Sequence, residues 1–515
     1  HVARSANFYQ SLTEGNLVPR WAANLNWGYG HPILMFLYPL PSYLASFFHF
    51  LGFSYVDSTK VTFGLAYIAS ILAMFFWMRR QWGVWPGVVA AIFYGFAPYR
   101  FVDLYVRGAI GEHTAFVFPP LVGYGLLGLA KVKKVELLDL ILTAGGVAGL
   151  ILAHNAVSLM FLPVIGLYAW YLLAFVARDK KSFILVAASA LFWGFMLAAF
   201  FWIPALLEGK YTLRDIVTRG DFRNRFVPFS WFFYSPWNYG GAVQFSKQVG
   251  FSHWLTVLAS FWLFLKTKQK EIRWFLGGSL VIFFFSLFIM TGWSRPLWEN
   301  LSILQKFQFP WRWLSVTVFV AAAAAGGVAH LWGKKMRDVV FTIILVVTVI
   351  YTLPMWRPKV YLQKPEDFYT GVYNSTTDTG ESSPRWSVRF MEKRPKEVIE
   401  VAEGQASVTL GRRTTTEHNY VIKASTRARL VENTLYFPGW KVRVDGRQAE
   451  VEFQDPSYRG LMTFWVEEGT HEVSVRFGET KLRKAANLLA LGAWGLLAGV
   501  IGAKIVTRKL WLNFR

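Results

Sequence analysis

The chain contains no cysteine, which excludes disulfides, thiolate metal sites and a cysteine nucleophile, and leaves the redox compartment unread. Acids are scarce as well, 31 Asp and Glu against 54 Lys and Arg, and charged residues make up only 17% of the 515 positions. No Walker loop, dinucleotide glycine pattern or HExxH run occurs, which argues against ATP-driven transport and zinc proteolysis. A net charge of +23 on a soluble chain would point to nucleic acid. Here the basic residues collect in short stretches between apolar runs, where membrane topology demands them, so no nucleic-acid partner is expected.

What is abundant is apolar and aromatic: 54% hydrophobic residues and 18% Phe, Trp and Tyr, with a mean hydropathy of +0.32. That composition is polytopic and mainly α-helical, with membrane lipids as the first partners. Apolar runs fall at 58–78, 83–98, 113–130, 136–153, 156–176, 183–206, 252–265, 274–291, 311–332, 338–355 and 485–506. Most approach the length that crosses roughly 30 Å of hydrocarbon, and the expectation is about 11–12 transmembrane helices. Residues 32–53 carry Pro32, Pro39 and Pro41, so they read as a broken, half-inserted segment. The chain opens at His1 without a methionine or an apolar anchor, and a first helix upstream is expected.

Orientation follows from basic residues at alternate connections: Arg79 and Arg80; Lys131, Lys133 and Lys134; Arg178, Lys180 and Lys181; Lys266, Lys268, Lys270 and Arg273; Lys334, Lys335 and Arg337; Arg508 and Lys509. These predict cytoplasmic loops and a cytoplasmic C-terminus. The longer segments 1–57, 97–112, 207–251, 292–310 and 356–484 then lie outside. Residues 356–484 are polar, with alternating runs at 398–401, 406–410, 420–424, 429–436, 440–444, 450–453, 462–466 and 472–477, and Asp445-Gly446 is a hairpin signal. The expected organisation is a transmembrane domain over 1–355, a β-sandwich-like outer domain over 356–484, and a final helix with its tail over 485–515.

Between two apolar runs lies a dense polar island, Ala97-Pro98-Tyr99-Arg100-Phe101-Val102-Asp103 through Arg107 to Glu112-His113. Ionisable groups at the edge of a bilayer are expensive, which makes the island a functional-site hypothesis. Tyr99, Asp103 and Arg107 are spaced four apart and would share one face of a helical turn, where Asp103 and Arg107 form an ordinary ion pair. Glu112 sits where a new helix would start, a position that the helix dipole favours in any case. His154-Asn155 ends one apolar run and begins another, and reads either as a cap or helix-to-helix hydrogen bond or as part of a substrate lining. The run Phe307-Gln308-Phe309-Pro310-Trp311-Arg312 places an arginine at the start of a helix, where it can snorkel between Trp311 and Trp313 or meet a phosphate. The segment 208–250 mixes Glu208, Arg214, Asp215, Arg219, Asp221, Arg223 and Arg225 with Trp231, Tyr234, Trp237 and Tyr239, a pattern of either a lid or a solvated loop. A lone histidine without a second ligand at fixed spacing leaves any metal site unknown.

Several of these runs carry a resemblance. Gly15-Asn16-Leu17-Val18-Pro19-Arg20-Trp21, Asn26-Trp27-Gly28-Tyr29-Gly30-His31-Pro32, the 97–112 island, His154-Asn155 and 307–312 look like bacterial membrane proteins of the 6-pyruvoyl-tetrahydropterin synthase-related type, although no pterin chemistry is visible in them. That group is similar in layout to the GT-C glycosyltransferases, and Tyr436-Phe437-Pro438-Gly439-Trp440-Lys441-Val442 resembles the outer β-domain of large lipid-linked members. The resemblance implies a membrane enzyme that passes a sugar from a polyprenyl phosphate to an acceptor on the outer face, usually with inversion. It implies an acid in the first outer loop that acts as base or helps to place a divalent metal such as Mg or Mn. Residues 1–31 offer only Glu14, so the principal acid is expected upstream of His1. Within the chain, Glu112 and Asp103 are the catalytic candidates, Arg107, Arg100 and Arg312 the candidates for the donor phosphate, and His154, Asn155, Trp311 and Tyr99 the candidate lining. The alternative reading is a lipid-linked sugar transporter or a non-catalytic protein of envelope glycan assembly.

Overall fold

A computed structural model describes residues 1–131, 136–241, 244–332 and 334–513; Lys133 and Lys134 of the expected cytoplasmic loops lie outside the described residues. Among them, seven helices are long and apolar enough to cross a membrane: Tyr55–Trp82, Ile110–Lys131, Asn155–Phe175, Lys180–Leu197, Lys270–Met290, Pro310–Leu331 and Lys481–Lys504. An eighth arises if Val84–Gly95 and Pro98–Val106, bent by 48°, form one span. All eleven expected apolar runs are helical, but Leu137–Ala153 and Val339–Met355 are shorter, and Phe251–Lys266 has 16 residues. The run 183–206 is interrupted at Ala198, and its second piece, Ala199–Leu207, contains Pro204. Pro204 has no N–H to offer the carbonyl four residues back; that carbonyl, of Phe200, instead accepts from Arg20 Nη2 at 3.2 Å. The segment 32–53 is broken as its prolines require, into Ile33–Phe36 and Leu40–Phe50.

By proximity the chain divides into two compact units, one of residues 1–61, 199–219 and 363–488, the other of 62–198, 220–362 and 489–515.

The first unit contains eight strands: β1 Ile399–Glu403, β2 Ala406–Arg413, β3 Glu417–Ala424, β4 Ala428–Leu435, β5 Trp440–Val444, β6 Arg447–Gln448, β7 Leu461–Val466 and β8 Gly469–Phe477. They form two antiparallel sheets, ordered β1-β4-β7 and β2-β3-β8-β5-β6. Alternate residues His418, Tyr420, Ile422 and Ala424 of β3 are buried, and so are all eight of β4. The two sheets meet through Glu432 of β4, which accepts from His418 Nδ1 at 2.9 Å, Tyr420 Oη at 2.6 Å and Arg413 Nη1 at 3.2 Å. Asp445 and Gly446 turn the β5–β6 hairpin with φ of 50° and 78°, the pair of positive angles that a type I′ turn needs. The strand expected at 450–453 is not formed. The hairpin's return strand ends at Gln448, and Glu452 makes only an isolated bridge to Thr463. Backbone hydrogen bonds join Asn26 to Ser375, Trp27 to Tyr373 and Leu213 to Ser383. Arg20 is paired with Glu479 at 2.7 Å and Arg483 with Glu208 at 2.7 Å.

The second unit is built around the helix Leu314–Leu331, whose residues from Leu314 to Ala329 are all buried. Its small residues let backbones approach, as in membrane helix packing. A side chain on Gly326 would come within 3.2 Å of the Pro86 carbonyl, and one on Gly87 within 2.8 Å of the Phe75 carbonyl. Elsewhere on the same helix Phe319 stacks on Trp77 with centroids 5.3 Å apart.

Candidate active site

The polar island belongs to the second unit and is helical rather than a loop. Pro98 pre-sets the first turn of Pro98–Phe101. Val102–Val106 then forms a π-helical turn, closed by the Arg107 N–H donating to the Val102 carbonyl at 2.9 Å. A short helix, Ile110–Ala115, carries Glu112 and His113.

The structure brings Tyr99, Asp103, Arg107 and Glu112 together. Arg107 Nη1 donates to Tyr99 Oη at 2.8 Å, Asp103 Oδ1 at 2.8 Å and Glu112 Oε2 at 2.7 Å. Tyr99 Oη donates in turn to Glu112 Oε1 at 2.5 Å. Both carboxylates are fully buried, whereas the Arg107 side chain keeps 13% of its surface. All of its bonds to the acids run through Nη1. Among the described residues the Nε and Nη2 edge of the guanidinium has no hydrogen-bond partner, and neither has Asp103 Oδ2. Burial lowers the Arg107 pKa, but Glu112, Tyr99 and Asp103 outweigh it and hold the guanidinium above its ordinary value.

Arg312 arrives from the turn that precedes Leu314–Leu331. Gln308 adopts a φ of 60°, and the turn folds the Phe307 carbonyl back to accept from Arg312 Nη1 at 2.8 Å. Arg312 Nε lies 3.9 Å from Glu112 Oε2, and its side chain also keeps 13% exposure. Two arginines therefore form the reachable surface of a cluster whose acids lie beneath them.

The other expected members are held by neighbours of their own. Arg100 is fully buried: it donates to Ser70 Oγ at 2.6 Å and lies 4.1 Å from the Phe116 ring centroid, with Tyr94 and Tyr67 beyond. It is enclosed by rings, and among the described residues it reaches Asp103 of the cluster by charge without a hydrogen bond. His154 caps Asn155–Phe175, with Nδ1 accepting from the Val157 N–H at 3.2 Å. Burial, followed by the charges of Arg312 and Arg107, holds its pKa well below the usual histidine range, so it adds a neutral ring near the arginines rather than a third cation. Asn155 is exposed and gives its carbonyl to Ser158 Oγ. Trp311 stacks on Phe309 with centroids 4.7 Å apart and planes at 8°. Glu14, in the first unit, accepts from the Thr415 N–H and hydroxyl and ties the end of its helix to the strands.

Two further basic residues sit on that ring stack: Arg225, named above only within the segment weighed as a lid or a solvated loop, and Lys247, which the sequence does not single out. A lone lysine in a polar stretch carries no motif.

A divalent cation does not fit the cluster. Arg107 lies within 2.8 Å of both carboxylates and takes the position a metal would need, and the described residues contain no group of three or more His, Asp or Glu suited to a metal ion.

The family model described as 6-pyruvoyl-tetrahydropterin synthase related domain, membrane protein, matches residues 34–359. An uncharacterized protein of Lactococcus lactis subsp. cremoris is 24% identical over 238 residues, 44% of this chain and 38% of that protein. Among solved structures, the arabinofuranosyltransferase AftD from Mycobacteria is similar at a TM-score of 0.46 and 16% identity, over 69% of this chain and 24% of AftD. A mutant form of AftD is similar at 0.42 and 13% identity, over 69% of this chain and 26% of that one. The chain thus spans well under half the length of these relatives.

Proposed function

We infer the function of this chain, which belongs to the 6-pyruvoyl-tetrahydropterin synthase-related domain family of membrane proteins, from its buried charged cluster: it is a multi-pass membrane glycosyltransferase of the GT-C kind. It transfers a sugar from a polyprenyl-phosphate-linked donor to a glycan, lipid or protein acceptor at the extracytoplasmic face of the bacterial cytoplasmic membrane. The β-strand unit lies on that outer face and the C-terminus in the cytoplasm.

The observation that carries this reading is the orientation of Arg107. Its Nη1 is held by Tyr99, Asp103 and Glu112, while its Nε and Nη2 edge is left for another acceptor. A guanidinium edge matches two phosphate oxygens, and Arg312 beside it adds a second cation. In the transfer, the acceptor hydroxyl loses its proton to a carboxylate and its oxygen attacks the anomeric carbon. The bond from that carbon to the phosphate oxygen breaks, and the departing phosphate takes the electron pair while Arg107 and Arg312 stabilise its charge. A single displacement of this kind inverts the anomeric centre. Both carboxylates lie beneath the arginines, and Asp103 Oδ2, which has no hydrogen-bond partner, is buried 3.9 Å from His113 Nδ1; the proton therefore goes to Asp103 or Glu112 once the bound substrate shifts Arg107, and the other acid keeps the arginines aligned.

The test is transfer by the purified protein in liposomes supplied with a polyprenyl-phosphate sugar and an acceptor extract. Formation of a new glycosidic bond supports the enzyme. Movement of the intact donor across the bilayer with no bond formed would replace it with the transporter reading.

A further inference from the structure

Lys247 presents an electrostatic problem that the fold does not solve internally. The stretch from Ser246 to Val249 is drawn inside, with Lys247 only 1% exposed. It is pinned there by its own N–H donating to Ser235 Oγ at 2.8 Å, by the Val249 N–H on the Phe232 carbonyl at 3.0 Å, and by Tyr351 Oη on Gln248 Oε1 at 2.6 Å. The ammonium donates to two neutral acceptors, Gln244 Oε1 at 2.8 Å and the Phe245 carbonyl at 3.1 Å. Rings supply the rest of its surroundings: Phe245 at 4.2 Å, Trp231 at 5.2 Å and Trp311 at 5.3 Å to their centroids.

No carboxylate of the described residues pairs with it. Ring faces and amide oxygens soften a buried charge, but they do not cancel it. The same ring stack carries more cations. Arg225 lies 4.6 Å from the Phe309 centroid and 5.9 Å from that of Trp311, also without a described carboxylate partner, and Arg312 lies 4.8 Å from Phe309. Three cations therefore share two stacked rings, and the acid beside Arg312, Glu112, is already hydrogen-bonded to Arg107.

We propose that Lys247 and Arg225 hold a phosphate group against the Phe309–Trp311 stack, as a second anchoring point for the donor's phosphate beside Arg312. This rests on the reading of the site as one that takes a phosphate-linked donor. Burial brings Lys247 down to about 8, the state of a charge that gains when an anion arrives. Phosphate is the chemistry that fits, because it offers separate oxygens to an ammonium and a guanidinium at once.

The experiment is equilibrium binding to the full chain in neutral phosphatidylcholine nanodiscs, with three probes: a polyprenyl phosphate, inorganic phosphate, and phosphatidylglycerol mixed into the disc. Lys247→Met fills a similar volume without charge and Lys247→Arg keeps the charge. The expected result is polyprenyl phosphate binding that Lys247→Met weakens by about tenfold or more and Lys247→Arg largely retains, as for a charge-assisted hydrogen bond. Thermal stability of Lys247→Met should be equal or higher, since an uncompensated buried charge has been removed. Loss of phosphatidylglycerol or inorganic phosphate binding in Lys247→Met, without any polyprenyl phosphate binding by the parent chain, would keep the phosphate site and overturn the donor reading. Unchanged polyprenyl phosphate binding in a folded Lys247→Met protein, with Arg312→Ala defective, would overturn the role of Lys247 and leave the donor reading standing. A parent chain that binds none of the three probes would overturn both.

Discussion

Arg312 Nε lies 3.9 Å from Glu112 Oε2, so the turn before one helix and the first turn of another contribute opposite charges to one place. The contact makes Glu112 a shared partner of two arginines, since Arg107 Nη1 bonds the same oxygen at 2.7 Å. Effects of substituting these three residues should therefore not add.

Glu112→Gln keeps size and the hydrogen bond from Tyr99 while removing the charge that faces Arg107 and Arg312. Turnover should fall by about 10²-fold or more in a protein that still folds. Asp103→Asn, run beside it, separates the acid that aligns the arginines from the one that accepts the proton: loss confined to kcat points to proton transfer, loss in donor KM to alignment. Full activity of a folded Glu112→Gln protein would remove it from the site.

Arg312→Lys retains a cation but loses the planar fork and its bond to the Phe307 carbonyl. Donor affinity should drop by roughly 1–3 kcal/mol, and Arg312→Ala should cost more. Tolerance of lysine with unchanged donor binding would mark Arg312 as an interfacial residue that snorkels to the headgroup layer.

Arg100 gives the opposite expectation. Its guanidinium is enclosed by Phe116, Tyr94 and Tyr67, so Arg100→Met should alter melting temperature and leave donor affinity where it was. A donor-binding defect with unchanged melting would return Arg100 to the phosphate site.

The absence of cysteine makes single-cysteine labelling clean. Gly446→Cys should react with an impermeant reagent added from outside, and Lys133→Cys should not. The reverse pattern would invert the topology.

Glu432 carries a pH dependence in the β-strand unit. Burial raises its pKa, but the hydrogen bond and charge of His418, with Arg413 and Tyr420, outweigh burial and set it below the ordinary 4.5. A carboxylate depressed on folding contributes stability above its unfolded value, and that contribution disappears as pH falls through the folded value. Glu432→Gln should lower stability near neutral pH by roughly 3 kcal/mol or more and shrink the loss seen on acidification. An acid-unfolding profile identical to the parent's would contradict this.

The local parts of the site are legible in the sequence alone. Spacing by four places Tyr99, Asp103 and Arg107 on one face, and apolar run lengths mark the helices, because both depend on near neighbours in the chain. The meeting of Arg312 with Glu112 is not legible as a contact, since it depends on how the helix 314–331 packs. The surroundings of Arg100 are hidden for a related reason: a position in a polar island does not say that rings from Tyr67, Tyr94 and Phe116 will enclose the guanidinium. In the β-strand unit, alternation identifies the strands that bury one face. It fails at 450–453, where the same alternation occurs but Glu452 meets its neighbour only once, at Thr463.

The π-helical turn at Val102–Val106 sets a rule about chain length. Residues four apart on an α-helix drift by about 40° around the axis, so three residues in steps of four share a face but spread across about 80° of it. A π turn closes its hydrogen bond one residue later and winds less per residue, which takes back part of that drift and lets Asp103 and Tyr99 meet one nitrogen of Arg107. Deleting a single residue between Asp103 and Arg107 would restore the α-helical pitch and swing everything beyond it by about 100°. The spacing here is thus as much a part of the site as the side chains, and a relative that keeps all four residues but shortens this turn would have lost the arrangement while preserving its letters.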